Sequence, residues 1–547
     1  MPATLRRRGP DPYAQQYAIL AAALLVGTVF LAVWLRSALV LLCGALAGAT
    51  ITGIVFAVRH FRDRGPEIDR TARYLASPRD VRSLTTAGAK ETAARLGART
   101  TVPGIPIGTS VRGRQELWGS WEDMHFDIWG PRTGKTATRA IPAVVSAPGA
   151  VVVTSNKRDI VDATRGVRER RGPVWVFDPQ NQANEPASWW WNPLTFINNN
   201  VVRAMILAGL FAGINRPSHA RSDGYFEPAG QELFGAMLLA ASADNLPITR
   251  VLTWLRRPSD DTAARILRDA GHNLVAASVE SVMTAPALQR AGVYGTAAQI
   301  ASPLAAPNVT RWVTPGDGPR RPEFRHSDFA QREDGTVYVL SEETNKMAAP
   351  LVVSLATALA YEFEGRAIES PGGRLPVPAV FVLDEAANIC PWPELPMLYT
   401  HYGSRGIIMM TIIQSWAQGA DVWGESGMSS MWGAANVRVY GGGSGDTRFL
   451  GDVSTVSPNF EAATNEISYT AFASLDQKQT LKSRSEEVLD IAVLGAMPRG
   501  RAWVQVSGSK PILVRTSPWW EGAHADAIRA SLARYGPDAP DGPRAAK

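Results

Sequence analysis

Apolar residues fall into three patterns along the chain. The first is a pair of uncharged runs, Tyr17 to Leu35 (YAILAAALLVGTVFLAVWL) and Ser37 to Val58 (SALVLLCGALAGATITGIVFAV), separated only by Arg36. Each is close to the roughly 20 helical residues that a hydrocarbon core requires, which predicts an N-terminal two-helix transmembrane hairpin over 1–64, with spans at 17–35 and 37–58. Arg6, Arg7 and Arg8 precede the first run, and Arg59, Arg62 and Arg64 follow the second. The positive-inside rule therefore puts both ends in the cytoplasm, with Arg36 snorkelling outward at the far turn. A cleaved signal peptide does not account for the second run.

The second pattern is a set of short, mainly apolar runs bounded by turn residues, several of them fully apolar as in parallel strands covered on both faces. They are MHFDIWG, AVVVTS ending at Ser155, VWVF at 174–177, TVYVL at 336–340, AVFVL at 379–383, IIMMTII at 407–413 and NVRVY at 436–440. Residues 502–506 and 511–514 predict a closing hairpin. The third pattern, helical periodicity with few strand signals, fills 196–332 (FEPAGQELFGAMLLAASA, TRVLTWLRR). The fold class is thus α/β: a P-loop-type domain over 109–195 and 333–520, an all-α domain over 196–332, a membrane-proximal linker over 65–108 and a C-terminal tail, 521–547, that reads as partly disordered.

Composition changes this picture little. With 45% hydrophobic and 19% charged residues, the 547-residue chain has ample length for a globular core of two or three units. A net charge of +6 suits a polyanionic partner or an anionic membrane face without requiring either. Its two cysteines, Cys43 and Cys390, exclude a disulfide framework and a zinc site.

Candidate chemistry begins at the loop after the first strand. WGPRTGKT, Trp129 to Thr136, lies between a strand and a helical stretch, the context of a phosphate-binding loop. Gly130, Pro131, Arg132, Thr133 and Gly134 would present backbone amides to phosphate, Lys135 an ammonium, and Thr136 a hydroxyl for Mg²⁺. The usual pattern has glycine where Trp129 stands, so either the loop begins at Gly130 or Trp129 replaces that glycine. In AVFVLDEAA, Asp384 ends an apolar strand where it can reach Mg²⁺, and Glu385 is placed to act as general base toward water. Alone, such a pair would read as a helix cap; downstream of a phosphate loop it reads as a Walker B pair, and the implied cofactors are ATP and Mg²⁺. Gln414 ends the strand IIMMTIIQ and could sense the γ-phosphate, while Arg405 in YGSRGI could be an arginine finger across a subunit boundary or a solvated turn residue. Lys157 and Arg158 follow the second strand at the sheet edge where ligands bind.

Together the hairpin, WGPRTGKT, IPAVVSAPGAVVVTSNKRDI, VWVFDPQ, WNPL, LDEAANI, LPMLYTHYGSRGI and TIIQSWAQ resemble the conjugative coupling proteins of type IV secretion, the TraG/TraD type, over residues 17 to 520. The resemblance implies a RecA-like ATPase carrying an all-helical domain, assembled as a homohexamer at the inner face of the cytoplasmic membrane. It also implies transfer of relaxase-bound single-stranded DNA, or of protein, to secretion-channel components at the expense of ATP. Lys135 and Thr136 match the family's nucleotide and Mg²⁺ ligands, and Asp384 and Glu385 its Walker B pair. Asn156 departs from the pattern, since many members carry an acidic residue there. An FtsK-like double-strand translocase shares both Walker motifs and an anchor, and a cargo receptor with assembly-linked ATP binding is a further alternative; the intact Glu385 argues against a purely structural role.

Overall fold

A computed structural model describes residues 12–35, 44–52, 66–214, 224–316, 318–343, 345–467, 479–537 and 539, and the chain divides into two compact units, Met1–Arg70 and Thr71–Lys547. In the first unit, helix Pro12–Leu35 contains no charged residue, and its Leu20, Val26, Phe30 and Trp34 are exposed. Residues 44–52 are also helical. A Cβ at Gly44 would sit 2.8 Å from Thr28, and one at Gly48 would touch Leu25 at 3.6 Å. Small residues four apart thus let two apolar helices approach closely, as membrane helices do. Most of the expected second span lies outside the described residues. Among the described residues, the helix long and apolar enough to cross a membrane is Lys346–Glu369, which is mostly buried in the second unit.

The second unit is built on an eleven-stranded sheet. Seven parallel strands form its centre: β3 (His125–Ile128), β4 (Val151–Ser155), β5 (Val174–Phe177), β8 (Thr336–Leu340), β9 (Ala379–Leu383), β10 (Ile407–Ile413) and β11 (Val437–Tyr440), in the order β11-β3-β10-β9-β4-β8-β5. Every residue of β3, β4, β8, β9 and β10 is buried, because helices cover both faces; all but β3, which carries His125 and Asp127, meet this with mainly apolar runs. Ile413 pairs with Ile128, Thr411 and Thr154 both pair with Leu383, and Ser155 pairs with Leu340. The C-terminal ends therefore share one edge, where the loops carrying the candidate residues emerge.

Four antiparallel strands extend the sheet beyond β11. The expected closing hairpin, β14 (Arg501–Val506) with β15 (Ile512–Arg515), is followed by β1 (Ile105–Ser110) and then β2 (Glu116–Gly119). The sheet thus reaches back into the stretch read as linker, which also holds helix Thr86–Arg95, and Val81, Leu84, Ala93, Ile105 and Ile107 belong to the hydrophobic core. Pro106 and Gly108, which read as loop residues, coincide with a register shift in the β1/β2 pairing, a place where sheets tolerate them.

The helical region is closed by β6 (Trp190–Trp191) pairing in parallel with β7 (Glu323–Phe324). Between them eight α-helices run from Leu194 to Val313 among the described residues, with Phe226–Ala243 the longest. A separate antiparallel pair, β12 (Asn459–Ile467) with β13 (Gln479–Glu487), follows helix Thr447–Val456. Part of the tail is ordered: helix Ala525–Tyr535 packs on helix Asp159–Arg168, with Ser531 Oγ donating to Asp162 O at 2.6 Å.

Candidate functional site

Trp129 ends β3. Its amide donates to Ile413 O at 3.0 Å, its fully buried indole donates to Asp127 at 3.1 Å, and a Cβ at Gly441 would lie 1.9 Å from the ring. The loop therefore begins at Gly130, which resolves the alternatives left by the sequence. Gly130 donates to Gly442 O at 2.9 Å, and a Cβ there would lie 2.1 Å from Gly443 O, so only glycine fits. Thr133 Oγ1 closes the loop onto Gly130 O at 2.6 Å. Arg132 (φ 61°) and Gly134 (φ 98°) take left-handed conformations that curl the backbone. After Lys135 the chain enters a π-helical turn, Thr136–Ala140, of the kind found at functional sites.

Asp384 and Glu385 leave β9 at the neighbouring edge, 3% and 6% exposed. Glu385 is left-handed (φ 55°, ψ 39°), a conformation that costs a non-glycine residue about 1 to 3 kcal/mol and turns its side chain sharply off the strand. Thr136 Oγ1 donates to Asp384 Oδ2 at 3.2 Å, Lys135 Nζ lies 3.6 Å from Asp384 Oδ1, and the same ammonium bonds Glu385 Oε1. Gln414 Nε2 donates to both oxygens of Glu385 at 2.9 Å. The fold thus gathers Lys135, Thr136, Asp384, Glu385 and Gln414 in one place.

Burial pushes the Asp384 carboxyl up to about 6; the Lys135 charge opposes this, while Glu385 and Asp159 add to it. Burial likewise raises Asp159. Three acids around one ammonium leave the pocket short of positive charge, a deficit that a divalent cation would fill. Among the described residues no cluster of three His, Cys, Asp or Glu side chains forms a metal site by itself. A metal held by Thr136, Asp384 and phosphate oxygens fits this set, and the glycine-lined loop at the helix N-terminus fits the phosphates.

Other expected residues lie elsewhere. Arg405 stands before β10, at the opposite end of that strand from Gln414, and bonds Gly373 O at 3.1 Å. Arg158 is structural, paired with Asp162 at 2.8 Å and holding Tyr535 O at 2.8 Å. Sequence reasoning passed over a charged cluster beneath the loop. Fully buried Arg139 pairs with Asp127 at 2.7 Å and contacts His125 Nδ1 at 3.2 Å, and burial, then the Arg139 charge, holds the His125 imidazole well below its usual range. An aspartate inside an apolar strand and an arginine inside an apolar helix were the signal. It also passed over a row of amides at the sheet edge, Asn156, Asn388 and Gln418, that converge on Glu343 and Gln414.

No curated protein matches the sequence. Residues 378–499 match the family model described as the TraM recognition site of TraD and TraG. The bacterial conjugative coupling protein TrwB, in its unbound form, is 14% identical with a TM-score of 0.55, covering 78% of this chain and 92% of its own. TrwB in complex with the ATP analogue ADPNP is 15% identical with a TM-score of 0.54, covering 80% and 93%. The resemblance to TraG/TraD-type coupling proteins holds. Identity this low establishes the shared fold, and the TraD/TraG model adds a sequence match that takes in β9, both Walker B acids, Gln414 and β10.

Proposed function

We propose that the chain is a membrane-anchored ATPase that couples a relaxase-bound single DNA strand, or a protein substrate, to a type IV secretion channel. The observation that carries this is the convergence of Lys135, Thr136, Asp384, Glu385 and Gln414 at one sheet edge of a coupling-protein fold. ATP is the nucleotide, and Mg²⁺ bound with it would supply charge neutralisation to the leaving group. Thr136 and Asp384 would hold the metal side of the site. Lys135 moves from Glu385 to the phosphates, which frees the carboxylate to accept a proton from water, and Gln414 keeps both carboxylate oxygens oriented. Arg405 takes part only as a side chain presented to a neighbouring subunit of a homohexamer.

The uncharged helix Pro12–Leu35 and the close approach of Gly44 and Gly48 to its partner face support an anchor of two spans in the cytoplasmic membrane, with the ATPase body in the cytoplasm. The match of residues 378–499 to the TraM recognition site of TraD and TraG supports docking to a TraM-like partner.

The test is ATP turnover by the full chain in detergent micelles, alone and with single- or double-stranded DNA, beside Lys135→Ala. Turnover that rises with single strands, falls steeply with salt and is lost in the variant is expected. Turnover equal in wild type and variant overturns the motor reading. Stimulation by duplex alone points to a double-strand translocase, and stimulation by protein alone to a cargo receptor.

A further inference from the structure

The carboxylate of Glu343, in the loop after β8, accepts hydrogen bonds from two amides: Asn388 Nδ2 at 2.6 Å on Oε1 and Asn156 Nδ2 at 3.1 Å on Oε2. From Asn388 the contacts continue toward the site. Gln418 Nε2 donates to Asn388 Oδ1 at 2.7 Å, and Gln418 Oε1 accepts from the backbone N–H of Gln414 at 3.2 Å. Gln414 in turn grips both oxygens of Glu385. The row crosses the ends of four adjacent strands, β8, β4, β9 and β10. The Glu343 loop is pinned from its other side by Gln180, whose Oε1 accepts from Ser341 Oγ at 2.7 Å and from the Glu342 amide at 2.9 Å.

The direction of every bond in the row follows from its ends. A carboxylate can only accept, so both asparagines must turn their NH₂ groups toward Glu343. Asn388 then has only its oxygen left for Gln418. Gln418 must give its NH₂ there, which leaves its oxygen for the backbone N–H of Gln414. A single charged acceptor thereby fixes the orientation of three side-chain amides, each of which could otherwise flip. A carboxylate at position 156 could not donate to Glu343, so this arrangement requires the Asn156 amide. Glu343 is exposed and its hydrogen bonds compete with water. They add little to stability, and what they supply is orientation.

We propose that Glu343 is a positioning residue for hydrolysis: through Asn388 and Gln418 it holds Gln414 where it aims the Glu385 carboxylate. This rests on the hydrolase reading above. Glu343→Gln leaves one acceptor for two amide donors, and Asn388→Asp sets two carboxylates face to face; each breaks the row. The double variant Glu343→Gln/Asn388→Asp rebuilds it with one bond reversed. The amide introduced at position 343 then donates to the carboxylate introduced at position 388. The other oxygen of that carboxylate still accepts from Gln418, and the oxygen of the new amide still accepts from Asn156.

The experiment is steady-state ATP turnover and thermal melting of the full chain in detergent for the wild type, both single variants, the double variant and Lys135→Ala. Each single variant is expected to lose on the order of 10-fold in kcat with KM for ATP and melting temperature little changed, as small misplacements of catalytic groups do, and the double variant to recover most of the loss. A single Glu343→Gln variant with wild-type kcat, a loss carried by KM, or a double variant no better than its worse parent overturns the proposal. Wild-type turnover no higher than that of Lys135→Ala overturns the hydrolase reading itself and this role with it, a result that none of the other outcomes imitates.

Discussion

Two buried ion pairs lie four residues apart on one stretch of chain, and they are built for opposite purposes. Arg139 and Asp127 have no exposed side-chain surface. Arg139 Nε and Nη2 both bond Asp127, at 2.7 and 3.2 Å, Nη1 reaches Pro106 O, and Asp127 accepts the Trp129 indole as well. The charges match one for one, and every guanidinium nitrogen of Arg139 has a partner. At Lys135 the match fails by design. Its ammonium is 13% exposed, and it faces Asp384 and Glu385 with Asp159 nearby, on a loop whose Gly134 has nothing within 4 Å of a would-be Cβ. A saturated pair holds β3 to the helix after the loop. An unsaturated one, with surplus acid and an open side, can exchange partners when nucleotide arrives.

The sharpest break in this comparison is Glu385→Gln. If Glu385 serves only to neutralise Lys135, the change is mild; as general base, it removes a contribution of about 10²- to 10⁴-fold. The expected result is that loss in single-turnover ATP hydrolysis, with nucleotide binding retained in equilibrium titration, because Lys135 is released from its resting partner and the phosphate loop is untouched. Retained hydrolysis would make both pairs structural.

The converse is Arg139→Met, which strands the Asp127 carboxylate in a dry site. Removing one partner of a buried pair costs roughly 3 to 5 kcal/mol. Thermal melting is expected to show a shift of that size, largely reversed when Asp127→Leu is added, whereas ATP turnover per folded molecule should change far less than in Glu385→Gln. Equal sensitivity of turnover would erase the distinction between the two pairs.

That distinction was only half visible in the sequence. Strands β4, β5, β8, β9 and β10 stand where their apolar runs predict, Asp384 and Gln414 follow directly from the ends of β9 and β10, and Lys135 lies in the loop after β3. β1 and β2 were not legible. Their residues pair with each other and with β15, about four hundred positions onward, and GIPIGTS carries the glycine and proline of a loop. The two-residue strands β6 and β7 are too short to leave a period. Arg405 shows a different limit. Its place in the turn before β10 already set it at the end opposite Gln414, roughly 20 Å away along a seven-residue strand, but its bond to Gly373 O was not legible. The Glu343 row was invisible because Asn, Gln and Glu in loops are ordinary solvated residues until the fold fixes who donates to whom.

The smallest expected effect is the pH dependence that surplus acid imposes, and it tests the unsaturated site without touching its geometry. Burial raises Asp384 from its ordinary 3.8 to about 6 in the folded, nucleotide-free chain. A carboxyl whose folded value lies above its unfolded one favours the fold when protonated, so its contribution is fully present below about 3.8 and is lost as pH rises through about 6. Asp384→Asn removes the titration. Between pH 7 and pH 5 the wild type should therefore gain on the order of 1 kcal/mol of stability relative to Asp384→Asn in chemical denaturation without nucleotide. Catalysis runs the other way, since protonated Asp384 is a poor metal ligand: Mg²⁺-dependent turnover should fall as pH drops below about 6 while stability rises. Opposite slopes are the signature of a site that trades folding energy for ligand binding. Parallel slopes would mean that Asp384, like Asp127, is satisfied within the chain.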